Sequence, residues 1–526
     1  MGGWRVFGVL SLAMMAVGRI HAGTPAARVE QGEIAGKTVG SGDVEAFLGI
    51  PFARPPAGEL RWKPPQPPEK WEGVRRCEDF GPACPQPEAV VQPIRGPRKE
   101  DCLYLNVWRP AGAAKKLPVM VWIHGGGFTT GSGAKELYDG SKLARAGAAV
   151  VTINYRLGPL GFLAHPALSA EAADGTSGNY GLLDQIAALE WVRANIEALG
   201  GDPDRVTIFG ESAGAVSVSC LLVSPKAKGL FHRAIIQSGT ADGIRTPLKA
   251  KGDGPSAEKA GLAVAAELGV EGEGPEALAK LRAKTAEEIL AASDPRVGLF
   301  GKGTKFRPCV DGVVLPAAPL DLIRAGRHND VPVIIGSNAD EGTLFTKLQL
   351  RIRRPAGYRF LLGKAFGGRA GQVEAMYPVG RGKSVEEQVA AVITHSAFTA
   401  PARRTARVLA SKGRSPVYLY YFSRVGPGMK RSGMGATHGA EIFYLFGTPP
   451  RPSHFDETDR DLAGKMRDSW VRFARTGDPN GRGIPRWRSF AAGEEAHLEF
   501  GDRIRPGTDL HKDECDLFDR VGDWGS

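Results

Sequence analysis

One serine in the chain has neighbours that could make it a nucleophile. It is Ser212, the middle residue of a Gly-Glu-Ser-Ala-Gly pentapeptide at 210–214. The apolar run at 206–209 predicts a short buried strand before it, and the residues from Ala213 onward predict a helix after it. A strand-to-helix turn this tight holds a hydroxyl out into a cleft and directs free backbone N–H groups at whatever reacts with it. The pattern therefore predicts a nucleophilic serine.

A serine hydroxyl reacts readily only when a base accepts its proton, and that base needs an acid to orient it. On a doubly wound hydrolase sheet the chain order is serine, acid, histidine. Of the ten histidines, those well downstream of Ser212 that could follow a strand are His395, His438, His454 and His497. Position and order favour His438, which lies in a glycine-rich loop after an apolar run, whereas His395 lies in a helical pattern and His497 enters a strand pattern.

The acid should follow the strand predicted at 331–335. The loop at 336–342 offers two neighbouring carboxylates there, Asp340 and Glu341. Either residue type can fill the role, and one of them must reach inward while the other points away. The residues by themselves leave this choice open.

A second glycine-rich loop, at 125–127, follows the apolar run at 119–123. Glycines let backbone N–H groups turn inward without Cβ clashes, so this loop could bind an oxygen that becomes negatively charged. A phosphate-binding loop is the alternative, but neither a Gly-Lys-Ser/Thr string nor a dinucleotide fingerprint accompanies it. Cysteine and histidine spacings suggest no metal site, and the sequence predicts no metal and no cofactor.

Apolar runs of strand length, separated by helical patterns, recur along the middle of the chain. They lie at 119–123, 148–154, 206–209, 233–237, 331–335, 417–422 and 498–500. Nearly continuous apolar strands are typical of a mostly parallel sheet covered by helices on both faces, so the predicted fold class is α/β. Helical patterns at 257–293 and 372–409 are expected to roof the site, which makes residues 23–526 a single catalytic domain.

The first 22 residues read as a signal peptide, with Arg5, an apolar stretch at 6–17 and a small residue, Ala22, at the expected cleavage point. The mature protein is therefore expected to be secreted or periplasmic. No other run reaches the roughly 18 apolar residues that a membrane span requires.

Charge and cysteine content exclude some classes of protein. The formal charge of +11 becomes +9 once Arg5 and Arg19 are removed with the signal, and the basic residues are scattered among acids, so no nucleic-acid partner is expected. The six cysteines of this 526-residue chain are too few for a disulfide scaffold and indicate one or two local disulfides.

With these residues assembled, the chain resembles the type-B carboxylesterase family, the cholinesterase-like branch of the α/β-hydrolases. The shared motifs span nearly the whole mature chain and lie at 47–53, 100–107, 124–128, 179–185, 200–203, 210–214, 340–342 and 470–480. The resemblance implies an α/β-hydrolase fold and hydrolysis of ester substrates through an acyl-enzyme, with water as the second substrate. It also implies roles for particular residues: a triad of Ser212, Glu341 and His438, an oxyanion hole from the N–H groups of Gly126, Gly127 and Ala213, and a disulfide between Cys84 and Cys102.

At some positions the sequence departs from the family pattern, and these departures limit the substrates and activities that are expected. The segment between Cys84 and Cys102 holds no tryptophan, whereas cholinesterases stack a quaternary ammonium on one there, so a cation site is not expected. The other cysteines, at 77, 220, 309 and 515, receive no assignment. A catalytically inactive binding protein and a lyase on the same fold are the alternatives; the first typically lacks the serine, and the second would not release both acid and alcohol from an ester.

The loop after the strand at 233–237 carries a further candidate. Cholinesterase-like relatives place an aromatic residue there as a wall of the acyl pocket, and the corresponding position here is Arg245. A guanidinium facing that pocket could hold a carboxylate of the substrate in a bidentate fork. In the alternative interpretation Arg245 lies in solvent, paired with Asp242.

Overall fold

A computed structural model describes residues 23–88, 94, 96–112, 116–293, 306–380, 382–491 and 493–522. The predicted signal peptide at 1–22 lies outside the described residues. The strands of the described part are β1 (Ala26–Val29), β2 (Gly32–Ala35), β3 (Lys37–Val39), β4 (Val44–Pro51), β5 (Val74–Arg76), β6 (Tyr104–Pro110), β7 (Leu117–Ile123), β8 (Ala149–Ile153), β9 (Gly201–Glu211), β10 (Arg233–Gln237), β11 (Val333–Asn338), β12 (Val417–Phe422), β13 (Ala496–Phe500) and β14 (Ile504–Thr508).

Helices alternate with these strands from β7 onward. They are α1 (Ser141–Arg145), α2 (Gly158–Phe162), α3 (Pro166–Glu171), α4 (Tyr180–Asn195), α5 (Ala213–Val223), α6 (Ala257–Glu267), α7 (Pro275–Ala283), α8 (Ala286–Ser293), α9 (Pro319–Arg324), α10 (Glu341–Leu348), α11 (Pro355–Phe366), α12 (Ala370–Met376), α13 (Val385–Ile393), α14 (Ala400–Lys412), α15 (Pro427–Ser432), α16 (Ala440–Phe446), α17 (Glu457–Thr476) and α18 (Lys512–Val521). None of the described helices is both long enough and apolar enough to cross a membrane.

The central sheet has the strand order β14-β13-β12-β11-β10-β9-β7-β8-β6-β4-β3. Its neighbours from β13 to β8 are parallel to one another, and the antiparallel pairs lie at the two edges. Because parallel strands end at the same edge, the loops that follow β7, β9, β10 and β11 all emerge on one side of the sheet. This order confirms the prediction of a large, mostly parallel sheet.

Both faces of the sheet are buried, and strand β7 shows how. Val119, Val121 and Ile123 belong to one hydrophobic core, while the alternate residues Met120 and Trp122 belong to the other. Helices α4, α5 and α14 cover the first face, and α1, α16 and α17 cover the second. Side chains that alternate between two dry layers explain why the strand sequences are apolar throughout and not at every second position.

A third hydrophobic core lies outside the sheet, between α10, α11, α12, α13 and α18. The helical pattern predicted at 372–409 corresponds to the end of α12, to α13 and to the start of α14, with a short π-helix, Thr394–Thr399, between the last two. Strand β9 is longer than the predicted 206–209, because the Asp-Pro-Asp stretch at 202–204, which is typical of a turn, is extended here.

Candidate active site

Ser212 lies on the turn between β9 and α5 with a φ of 57° and a ψ of −123°. A positive φ is unusual for a residue with a side chain and requires support from its surroundings. Part of that support is a hydrogen bond from the Ser212 N–H to the carbonyl of Gln237, at 2.9 Å. The turn also requires glycine at 214, since a Cβ there would lie 2.0 Å from the carbonyl oxygen of Ile123.

The other two predicted triad residues contact each other directly. Glu341 is the first residue of α10, just after β11, and His438 lies between α15 and α16. Glu341 Oε2 is 2.6 Å from Nδ1 of His438, and its Oε1 accepts a hydrogen bond from the N–H of Asn338 at 2.8 Å. The Glu341 carboxylate is fully buried, so this pair is shielded from water.

The neighbouring carboxylate points elsewhere. Oδ2 of Asp340 accepts a hydrogen bond from the N–H of Ala436 at 2.7 Å and so braces the loop that carries His438. The sequence alone did not show which of the two acids faces the histidine. In the structure Glu341 contacts the imidazole, and Asp340 holds the backbone of the loop beside it.

The serine and the histidine line the same cavity, but no hydrogen bond joins Ser212 to His438 in the described part of the chain. Nε2 of His438 instead lies 3.2 Å from Oε1 of Glu211, the residue before the serine. Because Nδ1 faces Glu341, this second contact is attractive when a proton lies on Nε2 or on the Glu211 carboxyl, since one group then donates to the other.

Two buried carboxylates near His438 were missed at the sequence level, Glu211 and Glu441. Glu441 accepts hydrogen bonds from the side-chain amides of Asn338, at 2.5 Å, and Gln237, at 3.1 Å. The sequence hinted at these two acids only through their positions: Glu211 adjoins the serine, and Glu441 lies in the first turn of the helix that follows the histidine loop. An acid at either position could equally well be exposed on the surface, so the sequence did not show that they are buried.

The clustering of carboxylates around one imidazole shifts the pKa of each group. Burial, reinforced by the charges of Glu441 and Glu341, raises the pKa of Glu211 to about 8. Burial and the charge of Glu341 raise the pKa of Glu441 to about 7. Burial acts to lower the pKa of His438, but the charges of Glu211 and Glu341 outweigh it and raise that pKa to about 9.

The glycine loop after β7 leaves backbone donors free beside the serine. Gly126 has a φ of 115°, and a Cβ on it would lie 2.0 Å from the carbonyl oxygen of Thr130. Among the described residues, the N–H groups of Gly126, Gly127 and Ala213 have no hydrogen-bond acceptor. Three unoccupied donors from two loops could donate hydrogen bonds to one anionic oxygen.

A disulfide joins Cys84 to Cys102, whose Cα atoms are 5.0 Å apart, and this is the pairing that the family resemblance implies. The segment that it closes contacts the chain just beyond the glycine loop, because the side chain of Gln86 hydrogen-bonds to both the N–H and the carbonyl of Gly131, at 2.7 and 2.8 Å. The disulfide thus lies behind Thr130, the neighbour of Gly131 that lines the cavity. The four cysteines without an assignment are buried and unpaired: Cys77, Cys220, Cys309 and Cys515.

The cavity in front of Ser212 has a volume of about 930 Å³. Two aromatic rings pack against the His438 imidazole, that of Phe345 at 5.2 Å and that of Phe398 at 4.8 Å between ring centroids. Phe398 comes from the π-helix before α14, which the sequence pattern did not distinguish from regular helix. The roof of the cavity comes partly from α10 and this π-helix, whereas α6, α7 and α8 contribute no residue to its lining.

Arg245 also lines the cavity, with 41% of its side chain exposed. Its Nη1 lies 3.3 Å from Oδ2 of Asp321. Asp242 pairs with Arg404 at 2.9 Å instead, so the alternative pairing of Arg245 with Asp242 is wrong. The described residues contain no group of three or more histidine, cysteine, aspartate or glutamate side chains placed to hold a metal ion.

The chain matches the model of the carboxylesterase family over residues 23–362 and 368–518. It is 42% identical over 483 residues to the fumonisin B1 esterase of Sphingopyxis macrogoltabida, covering 89% of this chain and 85% of that protein. It is 39% identical to the para-nitrobenzyl esterase of Bacillus subtilis, over 86% of this chain and 90% of the relative.

A solved structure of a PNB esterase superposes with a TM-score of 0.80 at 36% identity, covering 94% of this chain and 99% of that one. A thermophilic PNB esterase gives 0.81 at 34% identity with the same coverage. These similarities confirm the α/β-hydrolase fold that the sequence motifs imply. The chain therefore belongs to the carboxylesterase family and is a carboxylic ester hydrolase.

Proposed function

We propose that the chain hydrolyses carboxylic esters through an acyl-enzyme on Ser212, with His438 as general base and Glu341 as the residue that orients it. The observation that carries the proposal is the buried 2.6 Å contact between Glu341 and Nδ1 of His438, whose imidazole lines the same cavity as Ser212. Ester hydrolysis needs a nucleophile, a base and an acid that orients the base; here the first two line the cavity, and Glu341 lies buried behind the imidazole.

In the first half of the reaction, Oγ of Ser212 attacks the ester carbonyl carbon while its proton passes to Nε2 of His438. The carbonyl oxygen becomes an oxyanion, which the N–H groups of Gly126, Gly127 and Ala213 bind. The bond to the alcohol oxygen then breaks, and the alcohol leaves with the proton that His438 carried. The acyl group stays on the serine.

In the second half, a water molecule takes the place of the alcohol. His438 accepts its proton as the water oxygen attacks the acyl carbon, and the same backbone donors bind the second oxyanion. Release of the acid returns the proton from His438 to Ser212. Glu341 stabilises the imidazolium that forms in each half.

This mechanism requires Nε2 of His438 to turn from Glu211 toward the serine. Burial disfavours the ionised form of Glu211 and raises its pKa. Catalytic hydrogen bonds are often longer without substrate and shorten in the reacting complex, so the contact between Ser212 and His438 is expected to form when an ester is bound.

The proposed function is tested by reaction with an aryl phosphonate ester, which mimics the tetrahedral intermediate. We expect a stable phosphonyl adduct of one equivalent on the peptide that contains Ser212, together with release of both acid and alcohol from a carboxylic ester. Mass spectrometry of the digested protein locates the adduct. An adduct on another residue, or none in a preparation that hydrolyses esters, would contradict the proposal.

The carboxylates around His438 should set the pH profile of the reaction. An unperturbed histidine has a pKa of about 6.5, whereas that of His438 is raised by Glu211 and Glu341. Protonated His438 cannot accept the serine proton, so kcat/KM should rise with pH through an apparent pKa above 6.5. Replacing Glu211 with glutamine removes one of the charges that raise this pKa, so Glu211→Gln should move the rise to lower pH.

The control for this experiment is Glu190→Gln, which removes the same charge from an exposed position on α4 outside the cavity. It should leave the midpoint of the kcat/KM profile in place. A midpoint that does not move in Glu211→Gln, or that moves to higher pH, would show that Glu211 does not set the pKa of the base.

The proposal also covers the domain organisation and the location of the protein. We infer that residues 23–526 form one catalytic domain and that the protein is secreted or periplasmic. The disulfide between Cys84 and Cys102 supports the second inference, because disulfides persist in oxidising compartments.

A further inference from the structure

Four arginines line the cavity that holds Ser212, and together they are called the arginine cluster here. They are Arg245, Arg307, Arg324 and Arg404. They come from four separate segments: the loop after β10, the stretch before residue 310, the end of α9, and α14. The proposed reaction of a neutral ester uses none of these side chains.

Backbone contacts bring two of these segments together. The N–H of Val310 donates to the carbonyl of Thr246 at 2.8 Å, and the N–H of Leu248 donates to the carbonyl of Val310 at 2.9 Å. The strand-like bridge between these segments places the residues around Arg307 alongside the loop of Arg245. The loop of Arg245 begins directly behind the serine, since a Cβ on Gly239 would lie 2.5 Å from the Ser212 carbonyl oxygen.

Carboxylates hold three of the four guanidinium groups. Asp321 lies 3.3 Å from Arg245 and 3.0 Å from Arg324, and so it is shared between two cations. Arg404 is held by Asp242 at 2.9 Å and by Asp519 at 2.8 Å, and its Nη2 has no acceptor among the described residues. Asp519 is itself shared with Arg407. The carboxylates therefore position these three arginines and match them in number, so the unmatched positive charge of the cluster within the described residues is that of Arg307.

Arg307 differs from the other three in having no counterion among the residues that the structure describes. It makes no hydrogen bond or ion pair with any residue that the structure describes, although its side chain is exposed in the cavity. Surrounding protein atoms remove enough water to lower its pKa from the usual value for arginine. A partly desolvated cation without a partner is energetically unfavourable unless an anion occupies the space in front of it.

We propose that the arginine cluster is an anion-binding subsite that selects esters whose acyl part carries a second carboxylate. Arg307 and Arg245 contact that carboxylate, and Arg404 is fixed beside them by its two aspartates. Guanidinium groups bind carboxylates in a bidentate geometry that neutral groups do not reproduce, so the subsite would favour the anionic acyl group over a neutral one of equal length. This inference rests on the proposed function of Ser212. It adds the separate requirement that the arginine cluster binds a carboxylate on the acyl group.

The test compares two esters of similar length with the same leaving group, p-nitrophenyl butyrate and mono-p-nitrophenyl glutarate. For the wild-type protein we expect a higher kcat/KM for the glutarate ester. In Arg307→Gln the kcat/KM ratio of glutarate ester to butyrate ester should fall by roughly ten- to a hundredfold, the loss typical of a charged hydrogen bond. Arg245→Gln should lower the same ratio.

Arg327→Gln is the matched control, because Arg327 is exposed, lies three residues beyond Arg324 and does not line the cavity. It removes the same charge from the same side of the protein, so any long-range effect of net charge should appear in it as well. The kcat/KM ratio should stay within about twofold of wild type in this variant, since distant exposed charges are screened by salt.

Inhibition provides a second measurement that does not depend on turnover of the anionic ester. Free glutarate should inhibit butyrate-ester hydrolysis more strongly than free butyrate does, and Arg307→Gln should weaken the inhibition by glutarate but not that by butyrate.

A second pair of esters, phenyl butyrate and 4-carboxyphenyl butyrate, places the charge on the alcohol side. We expect no dependence on Arg307 for this pair.

The outcomes separate the two proposals. Loss of all ester hydrolysis in Ser212→Ala, with no preference for glutarate in wild type, would leave the proposed function standing and overturn the anion subsite. Equal kcat/KM losses for both acyl esters in Arg307→Gln would also overturn it, as would an Arg307 dependence confined to the alcohol-side pair. Failure of wild type to hydrolyse even the butyrate ester would instead count against the proposed function.

Discussion

Replacement of Ser212 with alanine should lower kcat for ester hydrolysis by roughly 10⁴- to 10⁶-fold while the protein stays folded. Removing the nucleophile leaves only the residual catalysis of substrate binding and the oxyanion donors, because no acyl-enzyme can form. The backbone of the turn should tolerate the change, since the Ser212 N–H keeps its hydrogen bond to Gln237. The measurement is kcat on p-nitrophenyl butyrate, with thermal unfolding to verify the fold.

Ser219→Ala is the control for this experiment. Ser219 lies on the same helix, α5, and its buried hydroxyl hydrogen-bonds to the carbonyl of Ala215 at 3.0 Å. Its loss should reduce stability slightly and leave kcat near that of wild type. If Ser212→Ala kept more than about a tenth of wild-type activity, the assignment of the nucleophile would be wrong.

Glu341→Gln should have the second-largest effect and lower kcat by about 10⁴-fold. Glutamine is nearly isosteric, but its amide can present an N–H to Nδ1 of His438 where the carboxylate accepts a hydrogen bond from that nitrogen. The change favours the wrong tautomer and removes the charge that stabilises the imidazolium. Asp340→Asn is the matched control, because asparagine can still accept the hydrogen bond from the Ala436 N–H. Its kcat should fall by less than about tenfold.

The comparison requires kcat for both variants on the same ester, with correct folding verified by circular dichroism. A larger loss in Asp340→Asn than in Glu341→Gln would mean that the neighbouring acid supports the base. Comparable small losses in both variants would indicate that His438 works without an orienting carboxylate.

Much of the architecture could be predicted from the sequence, because its cause is local. A strand buried on both faces must be apolar throughout, as in β7, and a helix must follow the glycine-rich turn at Ser212. These constraints act between residues that are close in the sequence, so the local sequence pattern shows them. The longer β9 departs from the prediction because Gly201 pairs with Leu117 of β7 ahead of the turn-like stretch, and Gly210 and Glu211 pair with β10 beyond the apolar run.

The contacts of the candidate site were less predictable, because they join residues far apart in the chain. The residues alone could not choose between Asp340 and Glu341, since the choice depends on which one faces a loop nearly a hundred positions away. The contact of His438 with Glu211, and the ion pair of Arg245 with Asp321 in place of Asp242, are likewise results of tertiary packing. Propensity and spacing carry no information on such contacts.

The reacting residues of the site and the arginines of the cavity lie on different parts of the fold. Ser212 and Glu341 follow directly from β9 and β11 of the central sheet, whereas Arg245, Arg307 and Arg324 lie on loops and a helix end outside it. Substitutions in those outer segments can alter the shape and charge of the cavity while the strand ends keep the spacing of the reacting groups. Directed evolution toward new esters should therefore tolerate changes most readily at residues 245, 307 and 324, which makes these positions the natural choice for a saturation library.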